Sequence, residues 1–293
     1  MKVLVTGANG QVGHCLQQQL SMREWEYSAL TRTELDITDQ YAVNNIVQKF
    51  RPDVVINAAA YTAVDKAESE QDLVYAVNRD GPANLARAAK EIGAAILHIS
   101  TDYVFSGDAT GAYTESAPTN PQGVYGKSKL QGEQAVIVAN DKHIILRTAW
   151  VFGEHGNNFV KTMIRLGRTK ESLSIVADQE GSPTYAHDIA KVLLTIARCY
   201  SEGRPISWGT YHYSGLPYVS WYDFAEAIFV EVERAGLYSK LIPQLTAITT
   251  AEYPTAAKRP ANSKLDCSKL EKSFGILPCD WRLALKNINT YTE

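Results

Sequence analysis

Gly7, Gly10 and Gly13 stand directly behind the apolar run Val3-Leu4-Val5, so a short strand passes through glycines into a helix within the first fifteen residues. Few other features constrain a fold as tightly. The glycines let the turn tighten and the backbone approach a pyrophosphate, while the free amides at the start of the helix near Gln11 face its negative charge. The spacing is Gly-x-x-Gly-x-x-Gly instead of the commoner Gly-x-Gly-x-x-Gly, and gains weight from a second signal. Tyr125 and Lys129 form a Tyr-x-x-x-Lys pair downstream of Ser100-Thr101. Together the two patterns indicate a nicotinamide-dependent enzyme acting on an alcohol or a carbonyl.

The rest of the chain is consistent with that start. Strand-like runs near 2–6, 27–30, 53–58, 95–100 and 143–148 alternate with helical segments near 11–20, 41–50, 72–92 and 124–138. Such alternation predicts an α/β fold, a Rossmann-type doubly wound parallel sheet with helices on both faces. After Trp150 the rhythm loosens. A helix near 188–200 and a strand near 210–213 are expected to return to the main sheet, and the last eighty residues, punctuated by Pro217, Pro243, Pro254, Pro260 and Pro278, read as short helical elements. The expected division is a dinucleotide-binding domain over 1–152, with 184–216 returning to it, and a smaller, mainly helical substrate lobe from 153–183 and 217–293, placed where ligands of open α/β sheets bind.

Bulk properties narrow the partners. With 293 residues and 45% apolar content the chain can bury a large core, and a net charge of −3 gives no reason to expect nucleic acid or a membrane surface. Cys15, Cys199, Cys267 and Cys279 lack Cys-x-x-Cys spacing, and the first strand begins at once, so a cytoplasmic protein with reduced thiols and a small-molecule partner is expected.

A separation of four puts Tyr125 and Lys129 on one helical face. A neighbouring ammonium favours the phenolate, which would make Tyr125 a usable proton donor to a carbonyl oxygen as hydride reaches the carbon. Thr101, at the end of the run Leu97-His98-Ile99-Ser100-Thr101, can hydrogen-bond the same oxygen. Asp102 has either a site role or a turn role. After the second strand the chain has Leu30-Thr31-Arg32, and a basic residue there accommodates a 2′-phosphate, so Arg32 favours NADPH, with NADH as the alternative; Asp36 could reach the adenine. Asn57-Ala58-Ala59-Ala60 leaves room for a ribose or flat ring. Asn78, inside the predicted helix 72–92, either stabilises a kink, holds a water near Lys129 or is merely solvated. The six histidines form no sequence cluster suited to metal.

The segments Thr6 to Gly13, Asn57 to Ala60, Ser100-Thr101-Asp102-Tyr103-Val104-Phe105 and Tyr125-Gly126-Lys127-Ser128-Lys129 resemble the extended short-chain dehydrogenase/reductase superfamily. Five further segments, 63–68, 147–153, 156–159, 181–184 and 259–263, make the chain similar to the dTDP-4-dehydrorhamnose reductase family. That resemblance spans nearly the whole chain. It implies NAD(P)H-dependent reduction of the C4 keto group of a dTDP-6-deoxy-4-ketohexose, with Tyr125 as proton donor, Lys129 as its electrostatic partner and ribose anchor, and Thr101 as a tuner of both. It further implies that Gly10, Gln11, Val12, Asp36, Ile37, Ala59, Ala60, Tyr61 and Thr62 contact the cofactor, beside Gly7, Gly13 and Arg32, and that Thr101, Asp102, Tyr103 and Trp150 line the sugar pocket. A homodimer is compatible with the resemblance. Some members place an acid in a magnesium-linked dimer contact where this chain has His14-Cys15, which argues against a metal bridge.

Two rival readings share the scaffold. A nucleotide-sugar dehydratase needs Asp-Glu after the strand-end threonine, and here Asp102 is followed by Tyr103; an epimerase is not separated by sequence alone. A non-catalytic role, as in the regulatory subunit of methionine adenosyltransferase, is disfavoured by the intact Thr101, Tyr125 and Lys129.

Overall fold

The computed structural model describes residues 1–238 and 241–292. The chain begins with β1 (Lys2–Thr6), α1 (Gln11–Ser21), β2 (Glu26–Leu30), α2 (Gln40–Phe50) and β3 (Val54–Asn57). Two short helices, α3 (Val64–Ala67) and α4 (Gln71–Tyr75), lead through a π-helical turn at Ala76–Asp80 into α5 (Gly81–Glu91), followed by β4 (Ala95–Thr101), α6 (Val124–Ala139) and β5 (His143–Thr148). Then come β6 (Val151–Phe152), α7 (Phe159–Gly167), β7 (Ser172–Val176), β8 (Glu180–Gly181), β9 (Thr184–Tyr185), α8 (Ala186–Ser201) and β10 (Gly209–His212). The chain closes with β11 (Val219–Ser220), α9 (Trp221–Arg234), β12 (Gln244–Ile248), α10 (Ser268–Phe274) and α11 (Trp281–Leu285).

Six strands form one parallel sheet in the order β10-β5-β4-β3-β1-β2. The period-two alternation of its strands divides the core. Val3, Val5, Ile56, Leu97, Ile144 and Leu146 pack toward α1 and α8, whereas Leu4, Val55, Ile96 and Ile145 pack toward α2 and α5. Apolar residues on both faces of every central strand are what a doubly wound parallel sheet requires. A separate core of Phe152, Val160, Phe224, Phe229, Trp281 and Tyr291 holds the smaller lobe together.

Three details differ from the sequence expectation. The predicted helix 72–92 is interrupted at Ala76–Asp80. Pro82 has no N–H to give the carbonyl of Asn78 four residues back, so a regular α-helical ladder cannot pass this point and a π turn takes it up. The C-terminal part is not built of short helices alone: β12 pairs in parallel with β7, Leu245 beside Leu173 and Ala247 beside Ile175. Finally, α9 runs fourteen residues, started by a reciprocal capping box between Ser220 and Asp223.

Candidate active site

The strand order reverses at β1, which has β2 on one side and β3 on the other, and this is where open α/β sheets bind their ligands. The loops after β1 and β3 are in close contact there. A Cβ on Gly7, whose φ is +74°, would stand 2.5 Å from the Ala59 amide nitrogen, and one on Gly13 would stand 2.1 Å from the Gly7 carbonyl oxygen. Only glycine fits either position. Gly10 caps α1 with no side chain and the first turn holds no acid, so the amides and the positive end of the helix dipole stay available to an anion. Arg32 is exposed just beyond β2, and Asp36 accepts from the amide and hydroxyl of Thr38, which hold its carboxyl below the usual range. Ile37 is buried where a Cβ on Gly81 would stand. These features fit a dinucleotide with its pyrophosphate over α1.

Asn78 has a defined task. Its Oδ1 accepts from the Tyr61 amide at 2.8 Å, and its Nδ2 donates to the Tyr61 carbonyl at 3.1 Å and to Ser128 Oγ at 3.1 Å. The π turn therefore clamps the segment Ala59-Ala60-Tyr61 onto α6, and a plain solvated role is ruled out. The phenol of Tyr61 turns away to Glu70, 2.7 Å distant.

Helix α6 carries Tyr125 and Lys129, and four contacts fix it. Gly123, at its N-cap, has no side chain to offer, and Glu68 of α3's trailing end accepts from the Val124 amide at 2.9 Å instead. A Cβ on Gly126 would meet the Tyr103 carbonyl at 2.2 Å, so the helix lies against the end of β4. Ser128 Oγ accepts from Asn78 Nδ2 of the π turn and donates to the Tyr125 carbonyl of its own helix at 2.7 Å. Further along, Glu133 and Arg147 form a buried bidentate pair, Nε to Oε1 at 2.9 Å and Nη2 to Oε2 at 2.6 Å, which Ser100 joins at 2.5 Å.

These contacts place Tyr125 at the carboxyl end of β4, its ring edge-on to Tyr103 at 5.4 Å. Desolvation raises the Tyr125 phenol well above its ordinary value, and the Thr101 hydroxyl opposes that rise. The sequence expectation that Lys129 would lower it is not met here. Desolvation of the phenol prevails; the Lys129 ammonium keeps its charge while donating to the Ile99 carbonyl at 2.7 Å, and burial pushes its own pKa down to about 8, against the pull of Glu133. Asp102 is buried and is more than a turn residue: it accepts from Thr101 Oγ1 at 3.0 Å and from Ser263 Oγ at 2.5 Å, and burial lifts it to about 6.

Above this end of the sheet lies a cavity of about 520 Å³ between the sheet and the lobe, walled by Tyr103, Trp150, Met163, Trp221, Arg259 and Ser263 among others. Trp150 is held in a left-handed conformation, φ +45°, one of two non-glycine residues with positive φ among the described residues. Its indole stacks on Trp221 with centroids 3.6 Å apart, and a Cβ on Gly181 would stand 2.5 Å from it. Arg259 pairs with Asp65 at 2.5 Å and reaches Tyr103 Oη at 3.4 Å.

Thr101, Asp102, Tyr103, Tyr125 and Lys129 thus converge on the sheet end, Tyr103 and Trp150 line the cavity while Thr101 and Tyr125 lie behind its wall, and Gly7 to Gly13, Ala59, Ala60 and Tyr61 lie together at the switch point. Thr62 and Arg32 are exposed at the rim. Glu68, Asp65, Arg259, Ser263 and Trp221 received no role from sequence reasoning. The segments 63–68 and 259–263 were visible as patterns, yet which of their side chains meet could not be read from spacings of more than 150 residues. No group of three or more His, Cys, Asp or Glu side chains able to hold a metal ion occurs among the described residues, and no helix among them is long and apolar enough to cross a membrane.

Comparison with known proteins bears on this geometry. Residues 1–292 match the family model described as "RmlD substrate binding domain". The chain is 51% identical over 293 residues to the dTDP-4-dehydrorhamnose reductase of Aggregatibacter actinomycetemcomitans, covering 100% of this chain and 99% of that one. Among solved structures it is similar to the dTDP-4-dehydrorhamnose reductase of Clostridium acetobutylicum, with a TM-score of 0.92, 44% identity and full coverage of both chains. It is also similar to the dTDP-4-dehydrorhamnose reductase of Bacillus anthracis in complex with NADP, with a TM-score of 0.89 and 40% identity over 98% of this chain and 97% of that one.

Proposed function

The chain belongs to the dTDP-4-dehydrorhamnose reductase family, and from that premise we propose how its own residues carry out the reduction. Its activity is that of an NAD(P)-dependent oxidoreductase converting a dTDP-4-keto-6-deoxyhexose to the 4-hydroxy sugar. The observation that carries the residue assignment is the placement of Tyr125 and Thr101 together at the end of β4, beneath the cavity shared by sheet and lobe.

The sugar lies in that cavity with its C4 carbonyl oxygen toward the Tyr125 and Thr101 hydroxyls. When bound, the reduced nicotinamide supplies a hydride to C4. Tyr125, whose phenol desolvation keeps protonated at neutral pH, gives its proton to the oxygen as negative charge develops there. Thr101 orients that oxygen by turning to it the one hydroxyl proton that otherwise goes to Asp102, which keeps its bond from Ser263. Lys129 anchors the cofactor ribose and supplies positive charge beside Tyr125. Mixing the protein with dTDP-4-dehydro-L-rhamnose and NADPH should consume the absorbance of the reduced cofactor and yield dTDP-L-rhamnose; no turnover would overturn the substrate assignment.

NADPH is the preferred cofactor on this reading because Arg32 is exposed just beyond β2, with its charge felt by Asp36. A charge-assisted bond to a 2′-phosphate contributes about 1.5–3 kcal/mol, so Arg32→Ala should weaken NADPH binding by roughly 10–150-fold and leave NADH nearly unchanged. Equal losses for both cofactors would make Arg32 a surface residue.

Trp150 presents one face to Trp221 and forms part of the pocket wall. Trp150→Ala removes an apolar surface for the deoxysugar and should lower kcat/KM for it by roughly 2–13-fold, in line with the 0.5–1.5 kcal/mol of an aromatic contact, while NADPH affinity holds. Unchanged kinetics in a protein that melts much earlier would show that the ring serves only to pack the lobe.

A further inference from the structure

We propose that His98 is a positioning residue for the reaction: a neutral imidazole, locked in one tautomer by Asn57, whose Nε2–H is turned on Lys129 and disfavours its ammonium form. The inference rests on the reading of Tyr125 and Lys129 as the working pair.

The lock follows from hydrogen-bond inventory alone. The Ala59 amide can only donate, and the Asn57 side-chain atom it meets at 3.1 Å is therefore the carbonyl oxygen, which also accepts from Thr6 Oγ1 at 2.7 Å. The other side-chain atom of Asn57 is then the NH₂, and it lies 3.0 Å from His98 Nδ1. A donor there requires that Nδ1 offer a lone pair. His98 is wholly buried, which keeps its ring neutral, so the single ring proton sits on Nε2. Nε2 stands 3.5 Å from Lys129 Nζ.

An N–H facing an ammonium is a donor facing a donor. Facing a free amine, the same N–H meets a lone pair. The arrangement Thr6–Asn57–His98 thus favours loss of the lysine proton, in the same direction as the burial of Lys129. Other groups around Nζ act differently. Ile99 accepts from it on β4, Tyr125 on its own helix is neutral, and Glu133, also on α6, favours the ammonium although its carboxylate is engaged by Arg147 of β5 and Ser100 of β4. His98 is the partner among these that lacks an acceptor to offer. Lys129 then loses its charge as pH rises through the mildly alkaline range, and its support of Tyr125 falls with it.

Two measurements test this on the full chain without cofactor. In protein carrying ¹⁵N-histidine, the ring nitrogens of His98 should show the proton on Nε2; a proton on Nδ1, or on both, overturns the proposal and needs no variant that might fail to fold. In protein carrying ¹³Cε-lysine, His98→Leu should bind the Lys129 proton about tenfold more tightly, a titration midpoint about one pH unit higher. A structural role alone predicts the opposite sign, because leucine makes the surroundings less polar, and an unchanged or lowered midpoint overturns the proposal. The alkaline limb of kcat should move with the midpoint. Were kcat to stay flat while the midpoint moved, His98 would still set the charge of Lys129, and the assignment of Lys129 to the mechanism would be what had failed.

Discussion

Tyr125→Phe is expected to lower turnover by roughly 10²–10⁴-fold, the usual worth of a positioned general acid, while NADPH affinity stays within about twofold of the parent. The ring keeps its edge contact with Tyr103, and α6 keeps Glu68 at its N-terminus and the Ser128 bond to the residue 125 carbonyl, because none of these uses the phenol oxygen. What disappears is the donated proton, together with the bond between the phenol and Thr101. Steady-state rates with the 4-keto sugar, read beside a fluorescence titration of NADPH, separate the two effects. Turnover near the parent's would remove Tyr125 from the chemistry and leave the proton to water or to another hydroxyl of the cavity.

The second large effect is expected in stability. Glu133 and Arg147 have side-chain exposures of 2% and 6%, and both oxygens of the carboxylate are engaged. Glu133→Ala leaves a guanidinium in the core with no counter-charge and also strips Ser100 of its acceptor, a loss of about 3–5 kcal/mol. Against a typical total of about 5–15 kcal/mol this is a large fraction, and calorimetry should find the melting temperature lower by roughly 10 °C. The pair itself need not be a net gain: changing Glu133 and Arg147 together to leucine and methionine should recover much of the loss, since the desolvation of both charges is then avoided. A drop of less than about 1 kcal/mol in Glu133→Ala would mean that water reaches the guanidinium. The pair matters to the site because it fastens the helix bearing Tyr125 and Lys129 to two strands at once.

How far the sequence reaches can be judged residue by residue. The parallel sheet was legible because Val3-Leu4-Val5, Val54-Val55-Ile56 and Ile144-Ile145-Leu146 are continuous apolar runs, and only burial on both faces calls for that. Gly7 and Gly13 were legible because close approach of two backbones leaves no substitute for glycine. The interruption at Ala76–Asp80 was readable too, from Pro82, although the helical pattern around it concealed it. The strands β7 and β12 carried a period-two pattern, yet each is five residues long, and β12 stands between Pro243 and Pro254, so both look much like loop. What could not be read was pairing across distance. Asp65 with Arg259, Glu68 with the start of α6, and Asp102 with Ser263 are each ordinary polar residues, and nothing in their local sequence says which partner will meet them. Tyr125 differs in one respect for a related reason: spacing puts Lys129 on the same helical face but does not reveal how strongly the fold desolvates the phenol.

The bond between Asp102 and Ser263 spans 161 residues of chain. At a synthesis rate of about 5–20 residues per second, Ser263 leaves the ribosome roughly 8–30 s after Asp102 does. Over that interval β1 to β5 can assemble, and α8 and β10, which cover α1 and pair with β5, follow before Ser263 is made. The carboxyl at the end of β4 must wait. Until the final segment arrives it has one hydroxyl partner instead of two and a lobe still lacking Trp281 and Tyr291, so a growing chain acquires its nucleotide-binding surface well before it acquires a finished place for the sugar.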